Sequence, residues 1–554
     1  MTVRDLSINV PRQRRVLSVL VFAAVLIWID TTILGIALER IADPRTGLGA
    51  TPGQLQWAVG SYALLFATAL FAAGALGDRY GHRTILVLGL ACFGGASIWA
   101  AWAGDATGLI LARGLMGVGG AMMMPTSMAI IGATFPPERR AGAIAAWSAS
   151  SGVGVALGPL LGGVLVDHFW WGSVFLVNLP LVAIALIGIA SEVPNPKLAR
   201  KRRPDPIGLL LSTAGLAALA YGLIEAGQDT DWTRWPVWGP IVLGLALLVL
   251  FTVFEWRSSE PSFDPRLFRN GRFSAGNVAL AALFFAITGQ MFYGNFYLQG
   301  ARGMSALDTG LAFLPGALGV ALGSGLGARL AKRHGVGLVS GGGLLVVAAA
   351  FLANLWFDVD TPLVWFCAVG LVSGTAMGMT IAPTVAAVIA VLPLDRMGAG
   401  SAVNNTVRQV GSVLGISLLG TVLATTYRDR IEPALRDLPP AARDAAAPSA
   451  EHTRAVADAL HRPDLATRAN DAFVAAMHVT AATAALVAFL GAVLLLLAFR
   501  AAGRRRHGDG ADAGREQQAQ PGGEQRQPQP DRERRDVVEA VPLGNRGEAG
   551  GDQR

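Results

Sequence analysis

Residues 16–38 read VLSVLVFAAVLIWIDTTILGIAL, an apolar run in which Asp30 is the only charged side chain. About 20 apolar residues in a helix cross the roughly 30 Å hydrocarbon core of a bilayer. Similar runs recur as far as residue 499, the mean hydropathy is +0.47, and only 15% of the 554 residues are charged. Soluble domains carry about 25% charged residues, so a water-soluble enzyme is excluded. We expect the first run to be retained, because it is too long for a signal peptide.

These runs predict an all-α polytopic membrane protein with 14 transmembrane helices. In lipid, helices and closed barrels are the folds that satisfy every backbone hydrogen bond. A barrel would show segments of about ten residues with alternating polar and apolar side chains. The runs here are about twice as long, so the pattern favours a helical bundle.

A short internal repeat indicates how the helices are organised. The loop after the second run reads LGDRYG at residues 76–81, and the loop after the tenth run reads LAKRHG at residues 330–335. The matching positions predict two six-helix halves around a central cavity with a two-helix central insert, an arrangement used by transporters. The predicted parts are an N-terminal half (1–190), an insert with a basic linker (191–260), a C-terminal half (261–500) with a long outer loop (427–471), and a disordered tail (501–554).

Lysine and arginine in the loops indicate the orientation. With the N-terminus inside, the short inner segments hold 21 of these residues, and the short outer loops hold four: Arg40, Arg45, Arg234 and Arg302. Positive charge collects on the cytoplasmic side of membrane proteins. An even number of helices returns the chain to the same side, so both termini are expected in the cytoplasm.

The sequence shows no pattern typical of a catalytic, metal or cofactor site. Its two cysteines, Cys92 and Cys367, lie in apolar runs, where cysteine acts as a small apolar residue. The seven histidines lack metal-ligand spacing, and no phosphate-binding loop with a Gly-x-x-x-x-Gly-Lys-Ser/Thr pattern occurs. We therefore expect that the protein is not an enzyme and that it binds no metal and no cofactor. The formal charge of +7 indicates attraction to anionic lipid rather than to nucleic acid.

Four motifs resemble those of the major facilitator superfamily, over about residues 10–500. Residues 74–83 (GALGDRYGHR) look like its inner-loop motif, and residues 109–121 are similar to its fourth-helix motif, which contains an arginine. Residues 154–163 (GVALGPLLGG) match the fifth-helix motif found in exporters. Residues 28–32 (WIDTT) resemble the first-helix motif of the fourteen-span drug:proton antiporters of the QacA and EmrB type.

The resemblance implies a specific activity and location. Members of that family carry out proton-coupled efflux of hydrophobic, often cationic drugs or antibiotics across the bacterial plasma membrane by alternating access. The chain departs from the motifs at Met116, where Gln is frequent, and at Gly35 and Glu39, where Asn and Pro are usual. These departures concern the substrate rather than the class of protein.

Asp30 and Arg113 are the candidate proton-coupling residues. A charge at the centre of a membrane helix costs about 2.5–3.5 kcal/mol on insertion scales, so each needs a partner, water or a task. Both are expected in the outer half of the membrane, where contact between them is possible. Movement of the guanidinium relative to the carboxylate would load and release a proton. The alternative is a structural ion pair that only joins two helices.

The inner-loop motif supplies a candidate gating latch, whose residues are Gly74, Asp78, Arg79, Gly81 and Arg83. Gly81 would allow the unusual backbone angle of a tight turn. We expect Asp78 to face the positive N-terminal end of the thirteenth helix, near Gly398, and to hold the inner end closed. The alternative is a solvated turn whose arginines follow the charge asymmetry of the loops.

The fifth-helix motif combines small residues with a proline. It contains Gly154, Gly158, Pro159, Gly162 and Gly163. Small residues at a spacing of four let helices approach closely, and proline removes a backbone donor and favours a kink. We expect this helix at the interface of the halves. Its link with antiport is implied by the family resemblance.

The candidate substrate-cavity residues are methionine, aromatic or polar side chains within apolar runs. They are Met123, Gln290, Tyr293, Phe296, Asn404 and Arg408. Methionine and aromatic rings make adaptable walls for varied apolar ligands. An arginine at this depth needs a partner or a wet cavity. The alternative for each apolar side chain is packing or contact with lipid.

These features favour a proton-driven drug exporter over two other hypotheses. Export of one endogenous metabolite, such as the producer's own antibiotic or a siderophore, would use the same motifs. A membrane-embedded enzyme or sensor is disfavoured by the export motif and by the missing catalytic pattern. The expected partners are a hydrophobic small molecule, protons and the lipid bilayer, and we expect a monomer that binds no nucleic acid.

We expect a reporter fused after Gly503 to be cytoplasmic and one inserted within residues 439–454 to be external. The physical reason is the 21-to-four distribution of positive charge between the two sides. Fusions to alkaline phosphatase and to green fluorescent protein, which are active on opposite sides, measure this. Both positions on one side would contradict the count of fourteen helices.

Overall fold

The computed structural model describes residues 10–193, 205–228, 234–258, 261, 264–390 and 397–518. Regular structure in these residues is helical. The basic linker predicted after the sixth helix, around Lys197 and Arg203, lies outside the described residues. The predicted tail begins at residue 501, whereas the last helix continues to Gln518, and residues 519–554 lie outside the described residues.

The helices follow one another along the chain with short connections. The first part of the chain forms α1 (Val10–Ala42), α2 (Pro52–Tyr80), α3 (His82–Ala101), α4 (Ala106–Thr134), α5 (Pro137–His168), α6 (Ser173–Leu176) and α7 (Asn178–Glu192). The next two are α8 (Pro206–Gln228) and α9 (Trp235–Arg257). The remainder forms α10 (Gly271–Asn295), α11 (Ala306–His334), α12 (Val336–Ala353), α13 (Leu363–Ala390), α14 (Met397–Leu435), α15 (Pro440–Ala446), α16 (Ala450–Ala459) and α17 (Pro463–Gln518).

Thirteen helical segments in the described part of the chain are long and apolar enough to cross a membrane. The helices α6 and α7 together make one of them, Ser173–Glu192. In α5 the apolar segment within the residues whose side chains are described is Gly152–His168, which is shorter than the thirteen others. A multi-pass helical membrane protein is therefore confirmed. The count of fourteen requires α5 to cross as well and stays a prediction.

The helices pack as two groups that meet along two interfaces. In the first group α5 packs on α1, and α4 packs on α2 and α3. In the second group α14 packs on α10, and α13 packs on α11 and α12. The groups meet where α5 lies against α11 and where α2 lies against α14. The pair α8 and α9 is attached through α8, which contacts α2 and α14.

The two repeated loops adopt the same backbone turn. Gly81 ends α2 with φ 98°, and Gly335 ends α11 with φ 85°. Side chains other than glycine avoid such angles. Each glycine is followed directly by the next helix, so the repeat marks equivalent turns in the two groups of helices.

We call the end of the bundle that holds the α1–α2, α3–α4 and α5–α6 connections the outer end, after the orientation that the charges predict. Exposed tryptophans mark this end, among them Trp102, Trp170, Trp235 and Trp356. Tryptophan is enriched where a membrane meets water. Below this belt, apolar side chains of α9 are exposed on the outside of the bundle, a surface suited to lipid.

The segment between α14 and α17 forms a small helical cap at the outer end. The helices α15 and α16 pack on each other, and we call them the outer cap. The hydroxyl groups of Tyr427 on α14 and Thr453 on α16 lie 2.7 Å apart. The outer cap is therefore tied to the top of α14 through a buried hydrogen bond.

Candidate functional site

Asp30 of α1 and Arg113 of α4 form a buried ion pair. Arg113 Nη1 lies 2.7 Å from Asp30 Oδ2, and Asp30 is 0% exposed and Arg113 2% exposed. Breaking a buried pair by removing one partner costs about 3–5 kcal/mol, because the remaining charge is uncompensated. The contact that the sequence left open is therefore formed, in the membrane-spanning part of the bundle.

Neighbouring helices complete the hydrogen bonds of this pair. Asn178 Nδ2 of α7 donates to Asp30 Oδ1 at 3.1 Å and lies 3.3 Å from Ser97 Oγ of α3. Arg113 Nε donates to the backbone oxygen of Ala58 on α2 at 3.3 Å. Both carboxylate oxygens of Asp30 thus have a hydrogen-bond donor.

Aromatic rings cover the guanidinium group. The Arg113 guanidinium carbon lies 4.6 Å from the ring centroid of Tyr62 and 5.9 Å from that of Phe175. A cation–π contact away from water contributes about 2 kcal/mol. Sequence reasoning missed these rings and Asn178. The one available signal was the amide of Asn178 within an apolar run, since such a group needs a partner.

The predicted latch lies in the tight turn between α2 and α3. Asp78 Oδ1 is 3.3 Å from Nε2 of His82, which is buried. The contact recorded for Asp78 among the described residues is therefore within its own turn. The expected contact with the start of α14 involves residues 397–402, whose side chains lie outside the described part of the chain. The latch stays a prediction.

The other latch residues join this turn to its neighbours. Arg83 Nη2 donates to the backbone oxygen of Ala190 on α7 at 2.7 Å. The Arg79 guanidinium lies 5.3 Å from the ring of Tyr80. Gly74 faces α4, where an added Cβ would lie 4.0 Å from Pro125 Cβ. These contacts hold the turn against α4 and α7.

The fifth-helix motif brings backbones into direct contact on one side. A Cβ on Gly154, Gly158 or Gly162 would lie 2.9, 3.0 or 3.2 Å from a backbone oxygen of α1. Backbone atoms cannot move aside as flexible side chains can. Close packing of α5 against the helix that carries Asp30 therefore requires these small residues.

The same motif faces α11 on its other side, across the interface of the two groups. A Cβ on Gly163 would lie 2.5 Å from Leu307 Cα and 2.7 Å from the backbone oxygen of Ala306. A Cβ on Gly310 would meet the backbone oxygen of Pro159. Pro159 and Gly163 thus lie where the groups touch, as the sequence predicts.

Two further contacts join the groups at the outer end. The Asp167 carboxylate at the end of α5 accepts hydrogen bonds from the backbone N–H groups of Ala306 and Leu307, at 3.0 and 2.8 Å. An acidic group is stabilised at the positive N-terminus of a helix, here α11. Gln299 Nε2 donates to the backbone oxygen of Ile36 at 3.0 Å. The structure is therefore held closed at its outer end.

The apolar substrate candidates are buried in different places. Met123 is 0% exposed and lies against α3, where a Cβ on Gly89 would be 3.3 Å from its Cγ. Tyr293 and Phe296 of α10 and the segment after it are also buried. Phe296 lies edge to face with Phe292, and both line a small apolar cavity near the outer end. These side chains are not gathered in one wall.

The polar candidates lie in the second group of helices. Asn404 Nδ2 donates to Asn277 Oδ1 at 3.1 Å, which joins α14 to α10. The Arg408 guanidinium lies 4.4 Å from the ring of Phe284 and 3.5 Å from Asn405 Oδ1. Gln290 is half-buried. Arg408 therefore uses an aromatic ring and an amide where Arg113 uses a carboxylate.

No three His, Cys, Asp or Glu side chains of the described residues are grouped as metal ligands. Cys92 and Cys367 are free thiols.

Replacing Gly163 by alanine should destabilise the protein, because the added Cβ would collide with the backbone of α11. Overpacking of this kind costs about 1–3 kcal/mol. Gly152→Ala on the same helix is the matched control, since a Cβ there meets open space. Thermal unfolding of the purified proteins in detergent should show a lower midpoint for Gly163→Ala alone. Equal midpoints would contradict the close approach of α5 and α11.

The chain is similar in sequence to several proteins that are named as drug efflux or antibiotic resistance proteins. The chain is 34% identical to "Multidrug efflux pump LfrA" of Mycolicibacterium smegmatis, over 87% of this chain and 96% of that protein. It is 34% identical to "Puromycin resistance protein pur8" of Streptomyces alboniger, over 74% and 82% of the two chains. It is 30% identical to "Tetracenomycin C resistance and export protein" of Streptomyces glaucescens, over 72% and 74%.

Solved transporter structures share the fold. A bacterial homologue of the human lysosomal transporter Spinster, in an inward-facing and unoccupied conformation, has a TM-score of 0.63 at 17% identity, over 88% of this chain and 99% of that chain. The family model described as Major Facilitator Superfamily matches residues 20–416. The match covers well over half of the sequence, and the helical order and the inner-loop, fourth-helix and fifth-helix motifs agree with it. The chain belongs to the major facilitator superfamily.

Proposed function

We propose that this protein exports hydrophobic, often cationic drugs or antibiotics in exchange for protons, by alternating access. The observation that carries the proposal is the buried pair of Asp30 and Arg113 in the membrane-spanning part of the bundle. Charges at this depth are rare and mark ion or proton pathways in membrane proteins. The relatives named as drug efflux and antibiotic resistance proteins support the direction and the substrate class.

The pair offers a physical mechanism for coupling. While Arg113 lies 2.7 Å from Asp30, the guanidinium occupies the carboxylate. If α4 moves relative to α1, Asp30 is left in apolar surroundings and binds a proton or a cationic substrate instead. Return of Arg113 then displaces that proton or substrate. Competition for one carboxylate in this way links proton entry to export.

The interfaces of the two groups support alternating access. The outer end is closed by the hydrogen bonds from the start of α11 to Asp167 of α5 and by the close packing of α5 against α11. Opening this end while the inner end closes would carry a substrate across. Asp78 acts in the proposal as the inner counterpart of Asp167, on the expectation that it faces the start of α14. Pro159 and the glycines of α5 keep the interface tight during the exchange of states.

A second candidate is the dedicated export of one metabolite. The relative named as a tetracenomycin C resistance and export protein favours it, because that name refers to a single antibiotic. A susceptibility panel in a pump-deficient host separates the two candidates. Protection against several unrelated aromatic cations supports multidrug export, and protection against one compound supports dedicated export. The proposal further places a monomer in a bacterial plasma membrane with both termini cytoplasmic.

Asp30→Asn should abolish export driven by a pH gradient in inverted vesicles, because the amide cannot take up a proton. It should retain exchange of substrate down its own gradient, since the amide keeps the size of the side chain and its oxygen can still accept a hydrogen bond from Arg113. Arg113→Ala should be similarly inactive, and Arg113→Lys less so. Fluorescent-substrate efflux with an imposed pH gradient measures these rates.

The matched control is Glu432→Gln. Glu432 lies on α14, and its carboxylate forms an exposed pair with Arg436. It should export at the wild-type rate. Wild-type pH-driven export by Asp30→Asn would remove this carboxylate from the mechanism.

Asp78→Asn should reduce export severalfold while expression and membrane insertion remain near the wild-type level. The substitution removes the charge expected to attract the start of α14 and preserves the size of the side chain. Asp78→Glu should retain part of the activity because it keeps the charge. Initial rates of efflux, normalised to the amount of protein in the membrane, measure both. Full activity of Asp78→Asn would leave the solvated turn as the only role of this residue.

A further inference from the structure

The outer end holds a second, largely buried group of charges that the proposed mechanism does not use. Arg454 Nη2 of α16 lies 2.8 Å from Glu39 Oε1 at the end of α1 and 3.2 Å from Glu451 Oε1. Arg454 Nη1 donates to Asn470 Oδ1 of α17 at 3.2 Å. The side chains of Glu39, Glu451 and Arg454 are 21%, 8% and 19% exposed. Two carboxylates thus share one guanidinium away from most of the solvent.

This group, which we call the outer triad (Glu39, Glu451 and Arg454), assembles when the outer end is closed. Glu39 belongs to the first group of helices, and Arg454 belongs to the outer cap. The π-helical segment Phe296–Ala301 after α10 lies against both, since a Cβ on Gly300 would be 2.5 Å from Arg454 Nη2 and 3.0 Å from Glu39 Oε1. Separation of the groups at the outer end would therefore take the triad apart and admit water.

The charges of the triad do not balance. Burial would lower the pKa of Arg454, but Glu39 and Glu451 beside it raise this pKa above its ordinary value, so Arg454 stays positive. Burial lowers the pKa of the neighbouring His452 against the opposing effect of Glu451, so His452 is neutral near pH 7. Two carboxylates and one guanidinium leave one excess negative charge. An excess buried charge is costly, and one bound proton removes it.

Other charged groups lie around the triad, and two of the acidic ones, Asp167 and Asp458, have partners of their own. A cavity of about 280 Å³ beside it is also lined by charged side chains, which are Arg40, Asp43, Arg45, Asp167 and Asp458. Asp167 binds the start of α11, and Arg45 lies 3.7 Å from Asp458 in an exposed pair. Hydrogen bonds from Thr46 and Arg45 lower the pKa of Asp43 against the effect of burial, and Arg40 adds to this.

One atom of the triad also lacks a partner. Glu39 Oε2 is buried and has no hydrogen-bond partner among the described residues. The phenol of Tyr427, which faces the cap from α14, is engaged with Thr453. A proton on Glu39 or Glu451 would turn a repelling pair of carboxylates into a hydrogen-bonded pair.

We propose that Glu39 and Glu451 form a proton-binding site that fills from the outer medium when the outer end closes and empties when it opens. This inference rests on the proposed function in one respect: it takes the outer end as the side from which protons enter. The triad comes apart toward one side, so its proton returns to that side and is not carried across. The site sets the dependence of the closing step on outer pH and adds nothing to the number of protons exchanged per substrate.

The sign of the pH dependence follows from proton counting. The closed state binds one proton more than the open state, so lower pH favours closure. One linked proton changes the ratio of closed to open molecules by up to about tenfold per pH unit. An ordinary structural ion pair would show no such dependence near neutral pH.

The test measures the distance across the outer end by double electron–electron resonance between two spin labels. The labels are attached at Gly104→Cys, where a side chain meets open space, and at the exposed Asp360→Cys, with Cys92→Ser and Cys367→Ser. The background also contains Asp30→Asn, so that the deeper carboxylate does not titrate. With the triad intact, the closed population should rise by up to about tenfold per pH unit as the pH falls.

Three substitutions in the triad give different expected results. Glu39→Gln balances the charges without a proton, so the protein should stay closed and lose the pH dependence, and Glu451→Gln should do the same. Arg454→Gln leaves two carboxylates without a cation, so closure should need a lower pH. The matched control Glu432→Gln, in an exposed outer pair, should behave as the intact protein.

Two outcomes would overturn the proposal. If Glu39→Gln and Glu451→Gln were both open, to the same extent at every pH, the triad would be a structural ion pair. If both variants kept the pH dependence of the intact protein, the triad would not be the titrating site. The measurement uses neither drug nor pH gradient. Failure of the protein to export drugs would therefore leave this result standing, and failure of this result would leave export untouched.

Discussion

A polar group inside a bilayer finds no water, and this constraint governs the whole molecule. It requires the backbone to be helical, since a helix satisfies its own hydrogen bonds. It also requires every buried charge to meet a partner from another helix. Asp30 meets Arg113, Asn178 and, through the amide, Ser97, so that α1, α3, α4 and α7 are joined around one carboxylate. Few other interactions in the described part of the chain connect as many elements.

The same constraint explains why glycine controls the interface between the two groups of helices. Lipid provides no hydrophobic force that pushes apolar helices together, so close contact of atoms has to hold them. On α5 the glycines that face α1 and the one that faces α11 allow backbones to touch on both sides. A helix fitted in this way can pivot between partners but cannot accept a side chain. The export motif therefore has a physical basis in contact distances.

Electrostatic contacts at the ends of helices are weaker and more easily reversed. The carboxylate of Asp167 on the start of α11 is worth about 0.3–1 kcal/mol when partly exposed, which biases two states without locking either. The outer triad adds charges that can change with pH at the same end of the molecule. A fully buried pair in the membrane-spanning part of the bundle and more exposed contacts at its outer end form a reasonable division of tasks for a transporter.

The sequence by itself determined the class of the protein and the order of its helices, and it singled out Asp30, Arg113 and the α5 glycines. These follow from local features: the length of apolar runs, the rarity of charges within them and the spacing of small residues. The latch was expected at the inner end through Asp78, whereas the recorded contact of this type is made by Asp167 at the outer end.

Only the tertiary structure decided which helix faces met. Asn178 joins Asp30 from 148 positions away, and Arg454 joins Glu39 from 415 positions away. In a soluble helix an apolar stripe shows which face is buried. A membrane helix is apolar on the face toward lipid and on the face toward protein, so no such stripe reports its rotation. Partners of buried polar groups are therefore set by the packing of whole helices, which local sequence does not encode.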